Sequence, residues 1–158
     1  MLYAVLKTVH LLAIILWVGG MMFTHWFLRP AVLQLETQAR LKLMQDVLER
    51  FFKAVFVASL LVLGTGIWMI GRVAKLISQS GGSFEMPLSW TIMAVLGTLM
   101  VAIFMHIRFA LYKRLRDAVQ FATWDKAATA LASIRLWVSV NLGLGILVVV
   151  ITLLAPAY

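Results

Sequence analysis

The chain has 158 residues, 63% of them hydrophobic, with a mean hydropathy of +0.99 and a formal net charge of +8. That composition excludes a soluble globular domain and points to a single membrane domain. With no cysteine there is no disulfide, thiolate ligand or iron–sulfur cluster, so any redox chemistry has to come from a bound cofactor or from outside.

Runs without formal charge cover 8–28, 54–71, 86–107 and 136–158, each close to the ~17 to 25 residues that cross a bilayer core. They predict an all-α, integral membrane four-helix bundle, one domain over 1–158, with spans at about 3–28, 52–73, 87–110 and 134–156. The first span is too long for a signal peptide, lacks a small-x-small cleavage site and runs into Arg29, so it is expected to be retained.

The positive charge follows the loops. Segment 29–53 holds five Lys/Arg and segment 108–135 holds six, against Arg72 and Lys75 between spans two and three. The positive-inside rule then predicts both termini outside and the two basic loops in the cytoplasm. Because no basic patch stands apart from the span ends, nucleic acid is not an expected partner.

The first span carries the cost that needs explaining. Lys7, His10 and His25 lie in it, and an ionisable side chain in a bilayer usually faces protein and serves a function. On a helical wheel His10, Trp17, Met21 and Leu28 fall within about 20° of one line, with Lys7 free to snorkel outward. Trp17 lies mid-span, where an indole N–H needs a partner.

Past Arg29, the segment "ETQARLKLMQDVLERFF" repeats apolar residues at Leu41, Met44, Leu48 and Phe51, so span two is expected to extend as an amphipathic helix. "SQSGGSFEMP" is a plain loop, and Pro87 suits the first turn of span three. The connection from Tyr112 to Trp137 has no Gly or Pro and is helix-compatible. Trp26, Trp137, Trp68 and Trp90 fall near the two interfaces, as aromatic belts do. Small residues at Gly19, Gly20, Gly64, Gly66, Gly143 and Gly145 fit close helix packing, and Asn141 fits an interhelical hydrogen bond.

Depth sorts the histidines. His25 lies four residues before Arg29 and His106 two before Arg108, so the pair differs in depth by only ~3 Å, whereas His10 and His106 differ by ~15 to 20 Å. Imidazoles at equal depth on neighbouring helices suit the iron of a b-type haem, which makes His25 and His106 a candidate ligand pair. His10 would then need a second haem, a neighbouring subunit or a substrate. Met93 and Met100, seven apart in span three, offer thioethers suited to Cu(I), although methionine at that spacing is more often flexible packing. The six acidic residues all lie in loops, without a hydrolase or phosphate-binding motif.

The pattern Lys7, His10, Trp17, Gly19, Gly20 resembles the first span of the copper-resistance protein D (CopD) family and of the related HemJ-type protoporphyrinogen oxidases. "MQDVLERFFKAV" with "GTGIWMI" is similar to their second span, "FMH" at His106 to the end of their third, and "NLGLGILVV" from Asn141 to the last span of the copper-resistance branch. The resemblance implies a multi-pass protein of the bacterial inner membrane tied to haem or copper, with His10 the matched functional histidine and His106 a second. The oxidase branch is expected to carry a basic residue near position 25 and a lysine early in span three. Here stand His25, Met93 and Ala94, which argues against porphyrinogen oxidation and for metal or haem.

Three expectations follow. The first is haem b held by histidines of spans one and three, passing electrons between an unidentified redox partner and an acceptor. The second is copper handling through His10 and the methionines of span three, and the third is a protoporphyrinogen oxidase. Four short helices barely enclose a tetrapyrrole, so a homodimer belongs with the haem reading. The residues leave open whether any reaction is catalysed.

Overall fold

The computed structural model describes residues 1–154, and among them every regular element is helical. Four helices are long and apolar enough to cross a membrane: α1 (Leu2–Val32), α2 (Thr37–Gln79), α3 (Leu88–Gln120) and α4 (Trp124–Leu154). The end of the fourth expected span, 155–156, lies outside the described residues. The protein is a multi-pass membrane bundle.

The helices outrun the uncharged segments at the basic end, as the amphipathic periods predict. In α2 the buried positions run Leu41, Met44, Leu48, Phe52, Val55 and Ser59, one stripe continuing from the basic segment into the apolar one. Phe52 rather than Phe51 takes the core position at that turn. Tyr112, Leu115 and Ala118 carry the same role at the end of α3.

Packing pairs α1 with α2 and α3 with α4, while α4 also touches both α1 and α2. Helices α1 and α3 stand diagonally. Trp17 reaches across the centre to the edge of Phe104, 5.8 Å between ring centroids, and the aromatic chain continues through Phe52 to Tyr112 at 6.0 and 5.6 Å. The absence of a side chain at Gly20 lets α1 approach α2, since a Cβ there would strike the ring of Phe51.

Both short turns end helices in the same way. At the end of α2, Gly82 N–H donates to the Ile77 carbonyl and Gly81 N–H to Ser78, with Gly81 at φ +82°. At the end of α3, Thr123 donates to Ala118 and Ala122 to Val119, with Ala122 at φ +52°. These are two Schellman caps, the first with the glycine that a left-handed residue favours and the second without it.

Two π turns interrupt the regular register, at Thr24–Leu28 in α1 and Ile107–Leu111 in α3. Pro30 follows the first closely. Proline has no N–H to give and its ring clashes with the carbonyl four residues back, and the neighbouring Arg29 N–H bonds the Thr24 carbonyl, five back. One extra residue in a turn rotates the remainder of the helix by about 100°. The uniform wheel that put Leu28 on the line of His10 and Trp17 therefore fails beyond Phe23. Trp17 and Met21 are buried on that line, whereas Leu28 is only half-buried.

Candidate metal site

In the half of the bundle away from the basic loops, all four helices surround a cavity of about 150 Å³. His10 and Trp17 come from α1, Gly66 from α2, Met93 and Met100 from α3, and Gly145 from α4. Because Trp17 packs against Phe104, these two share a level. His10, seven residues nearer the N-terminus of α1, then lies about level with Gly97, between Met93 and Met100.

The imidazole is held by a hydroxyl of the neighbouring helix. His10 Nδ1 lies 2.8 Å from the Thr65 hydroxyl oxygen, and the Thr65 hydroxyl gives its single hydrogen to the Leu61 carbonyl. With that hydrogen on Leu61 the oxygen accepts from the ring, which is the tautomer with the proton on Nδ1 and the lone pair on Nε2. That arrangement, with one ring nitrogen donating to a neighbour and the other free, is how proteins orient histidines that bind metals.

Two glycines shape the walls. A Cβ on Gly66 would touch His10 Cε1 at 3.5 Å, and one on Gly145 would press Val18 at 3.0 Å and the Met100 methyl at 3.1 Å. Thus the Met100 thioether lies against α4 at a point where the helix has no side chain. An imidazole and two thioethers therefore line one apolar cavity, and side chains of that kind are soft donors, suited to Cu(I) rather than to hard divalent ions.

The remaining candidates lie elsewhere. Lys7 is exposed and does not line the cavity. His25 is half-buried, its Nδ1 3.4 Å from the Ser139 hydroxyl, in a second, smaller cavity at the basic end. His106 is exposed and meets the edge of Trp137, 5.6 Å between ring centroids. Ser139 and Trp137 are two positions apart on α4, about 200° around the helix, so the two histidines address opposite faces of α4. The cavity that His25 lines does not include His106. Equal depth holds for both, at the π turns, but a shared face does not.

Among the described residues, no three His, Cys, Asp or Glu side chains gather as a metal site. Asn141 is buried with its side-chain oxygen unpartnered, so it does not supply the interhelical hydrogen bond expected of it.

A family model for copper resistance protein D matches residues 45–155, about 70% of the chain. The chain belongs to the copper resistance protein D family. No curated protein and no solved structure matches it. Within the copper resistance protein D match fall Thr65, Met93, Met100 and His106, while His10, Trp17 and His25 precede it.

Sequence reasoning named His10, Trp17, Met93 and Met100 as candidates, and they line one cavity, but it passed over Thr65. Its signal was available: a hydroxyl between two glycines, in "GTGIWMI", inside an otherwise apolar span.

Proposed function

We propose that this protein handles copper in the membrane, taking Cu(I) as its cargo into the four-helix cavity. His10 Nε2 and the sulfur atoms of Met93 and Met100 hold the ion, Thr65 orients the imidazole, and Trp17 closes the inner side. The observation that supports this reading is the convergence of one oriented imidazole and two thioethers on a single apolar cavity. Membership of the copper resistance protein D family points the same way.

An ion entering such a cavity loses its water, a loss that only direct ligands offset. Soft ligands without charge hold Cu(I) without neutralising it, which suits a cargo that must also leave.

The test is a Cu(I) titration of the detergent-purified protein against a competing chromophoric chelator. One tightly held ion per chain is expected, lost in His10→Ala and weakened in Met93→Leu and Met100→Leu. Unchanged binding in all three variants would defeat the proposal. The haem expectation is decided on the same samples, because a Soret band and a sharp reduced α-band that vanish in His25→Ala and in His106→Ala would replace copper with haem b.

A further inference from the structure

The basic end of the bundle holds a cluster that the copper reading does not use. Arg29 of α1 and Arg135 of α4 line the smaller cavity together with His25. Arg40 of α2 is near enough that its charge and that of Arg29 both bear on Arg135. The Nε atoms of Arg40 and Arg135 are buried without a hydrogen-bond partner.

No protein acceptor answers them. Among the described residues the ion pairs are Glu49 with Lys53 and Arg116 with Asp117, both elsewhere. The nearby hydroxyls are committed, Thr24 to the Gly20 carbonyl and Ser139 to the Arg135 carbonyl. A buried N–H donor left unmatched is costly, and like charges held together add to that cost. An anion removes both penalties at once.

We propose that Arg29, Arg40 and Arg135, with His25, bind a phosphate group carried by the headgroup of an anionic lipid. The guanidinium fork matches phosphate oxygens two at a time, and basic pockets between transmembrane helices at the membrane surface are where such headgroups bind. Two features favour a lipid over a free ion. Apart from Thr24, the rest of the cavity wall is apolar, with Met44, Leu48 and Val138, which suits glycerol and the first methylenes. Trp26 and Phe27, 50% and 65% exposed, lie in the same turn as His25 and suit the interfacial layer.

The full chain, purified in neutral detergent and mixed with phosphatidylglycerol and phosphatidylcholine, is assayed for bound lipid by native mass spectrometry. The wild type should retain phosphatidylglycerol selectively. Arg29→Gln/Arg40→Gln/Arg135→Gln should retain it on the order of a hundredfold more weakly, taking about 1 kcal/mol for each cation at the surface. The control Lys113→Gln/Arg114→Gln/Arg116→Gln removes the same charge from the same end of the bundle and should leave retention unchanged.

Equal loss in both triple variants would reduce the site to diffuse charge, and no loss in the first would eliminate it. Inorganic phosphate alone raising Tm as much as phosphatidylglycerol would assign the site to a soluble anion and overturn the lipid. Arg135→Lys guards against misfolding, since it keeps the charge and removes only the fork. It should melt like the wild type without lipid yet retain less phosphatidylglycerol, and equal retention would overturn the proposal.

Discussion

The Thr65 hydroxyl oxygen lies 2.8 Å from Nδ1 of His10, fifty-five residues away in sequence, and accepts from that nitrogen when its own hydrogen goes to the Leu61 carbonyl. In the copper reading this contact orients the imidazole and leaves Nε2 for the ion. Replacing Thr65 by Val keeps the shape and removes the acceptor. Copper affinity should fall roughly 10- to 100-fold, the usual effect of losing the partner that orients a ligand, while Thr65→Ser should stay near wild type. Chelator competition measures both.

Gly145 provides a steric test of the same cavity. Its substitution by Val sets carbon against Val18 and the Met100 methyl, each already within about 3.1 Å of a single added Cβ. The thioether must move away from α4, so Gly145→Val should weaken copper binding, and a melting curve on the same variant checks that the bundle still folds. Gly143→Val, two residues earlier and on the exposed side of the helix, where an added Cβ meets nothing within 4 Å, is the matched control and should bind normally.

Ala122 holds a left-handed backbone, φ +52°, at a cap where its counterpart is Gly81. An L-residue in that conformation costs roughly 1 to 2 kcal/mol, part of which glycine gives back as unfolded-state freedom. Ala122→Gly should therefore raise Tm in detergent, whereas Gly81→Ala should lower it. Thermal unfolding followed by tryptophan fluorescence reads both.

Tyr112, buried beyond the uncharged part of α3, has its hydroxyl pushed up to about 12 by burial and then by the charge of Glu49, its hydrogen-bond partner at 3.4 Å. A raised value means that the folded state holds its proton more tightly than the unfolded one. The resulting stabilisation is complete below pH 10 and is lost as pH rises from there toward 12. Absorbance titration should show one of the three tyrosines ionising late, and Tyr112→Phe should remove that step.

Eleven Lys/Arg residues in 29–53 and 108–135, against only Arg72 and Lys75 at the opposite end of the bundle, in the last turns of α2, predict which side each loop occupies. The chain has no cysteine, so Ser80→Cys and Gln120→Cys each give a single label site, and both positions are exposed. An impermeant thiol reagent applied to intact cells should label the first and spare the second.

The four spans and their amphipathic extensions were legible because both rest on local pattern, long uncharged runs in one case and a 3.6-residue period in the other. The relation of the histidines was not. Depth follows from counting residues, and the counting holds. Direction does not: His25 lies inside a π turn whose extra residue cannot be seen in a hydropathy pattern, and His106, just before the other π turn, meets Trp137 through packing between helices that no single-helix pattern reports. For the same reason the pair His25 and His106 read as neighbours, while they lie on opposite faces of α4. Thr65 escaped notice because its role depends on a contact between helices, and no single-helix period reports that.

Every one of the four helices gives at least one wall to the cavity proposed to take copper, and no two of them complete it alone. Occupancy and folding are consequently linked. An ion that binds only the assembled bundle stabilises it by RT ln(1 + [L]/Kd), about 2.7 kcal/mol when copper stands at a hundred times its dissociation constant. Stripping the metal then loosens all four helices together rather than one wall of a pocket. In a cell the amount of folded protein would track the copper supply, so the bundle's own abundance reports the metal it carries.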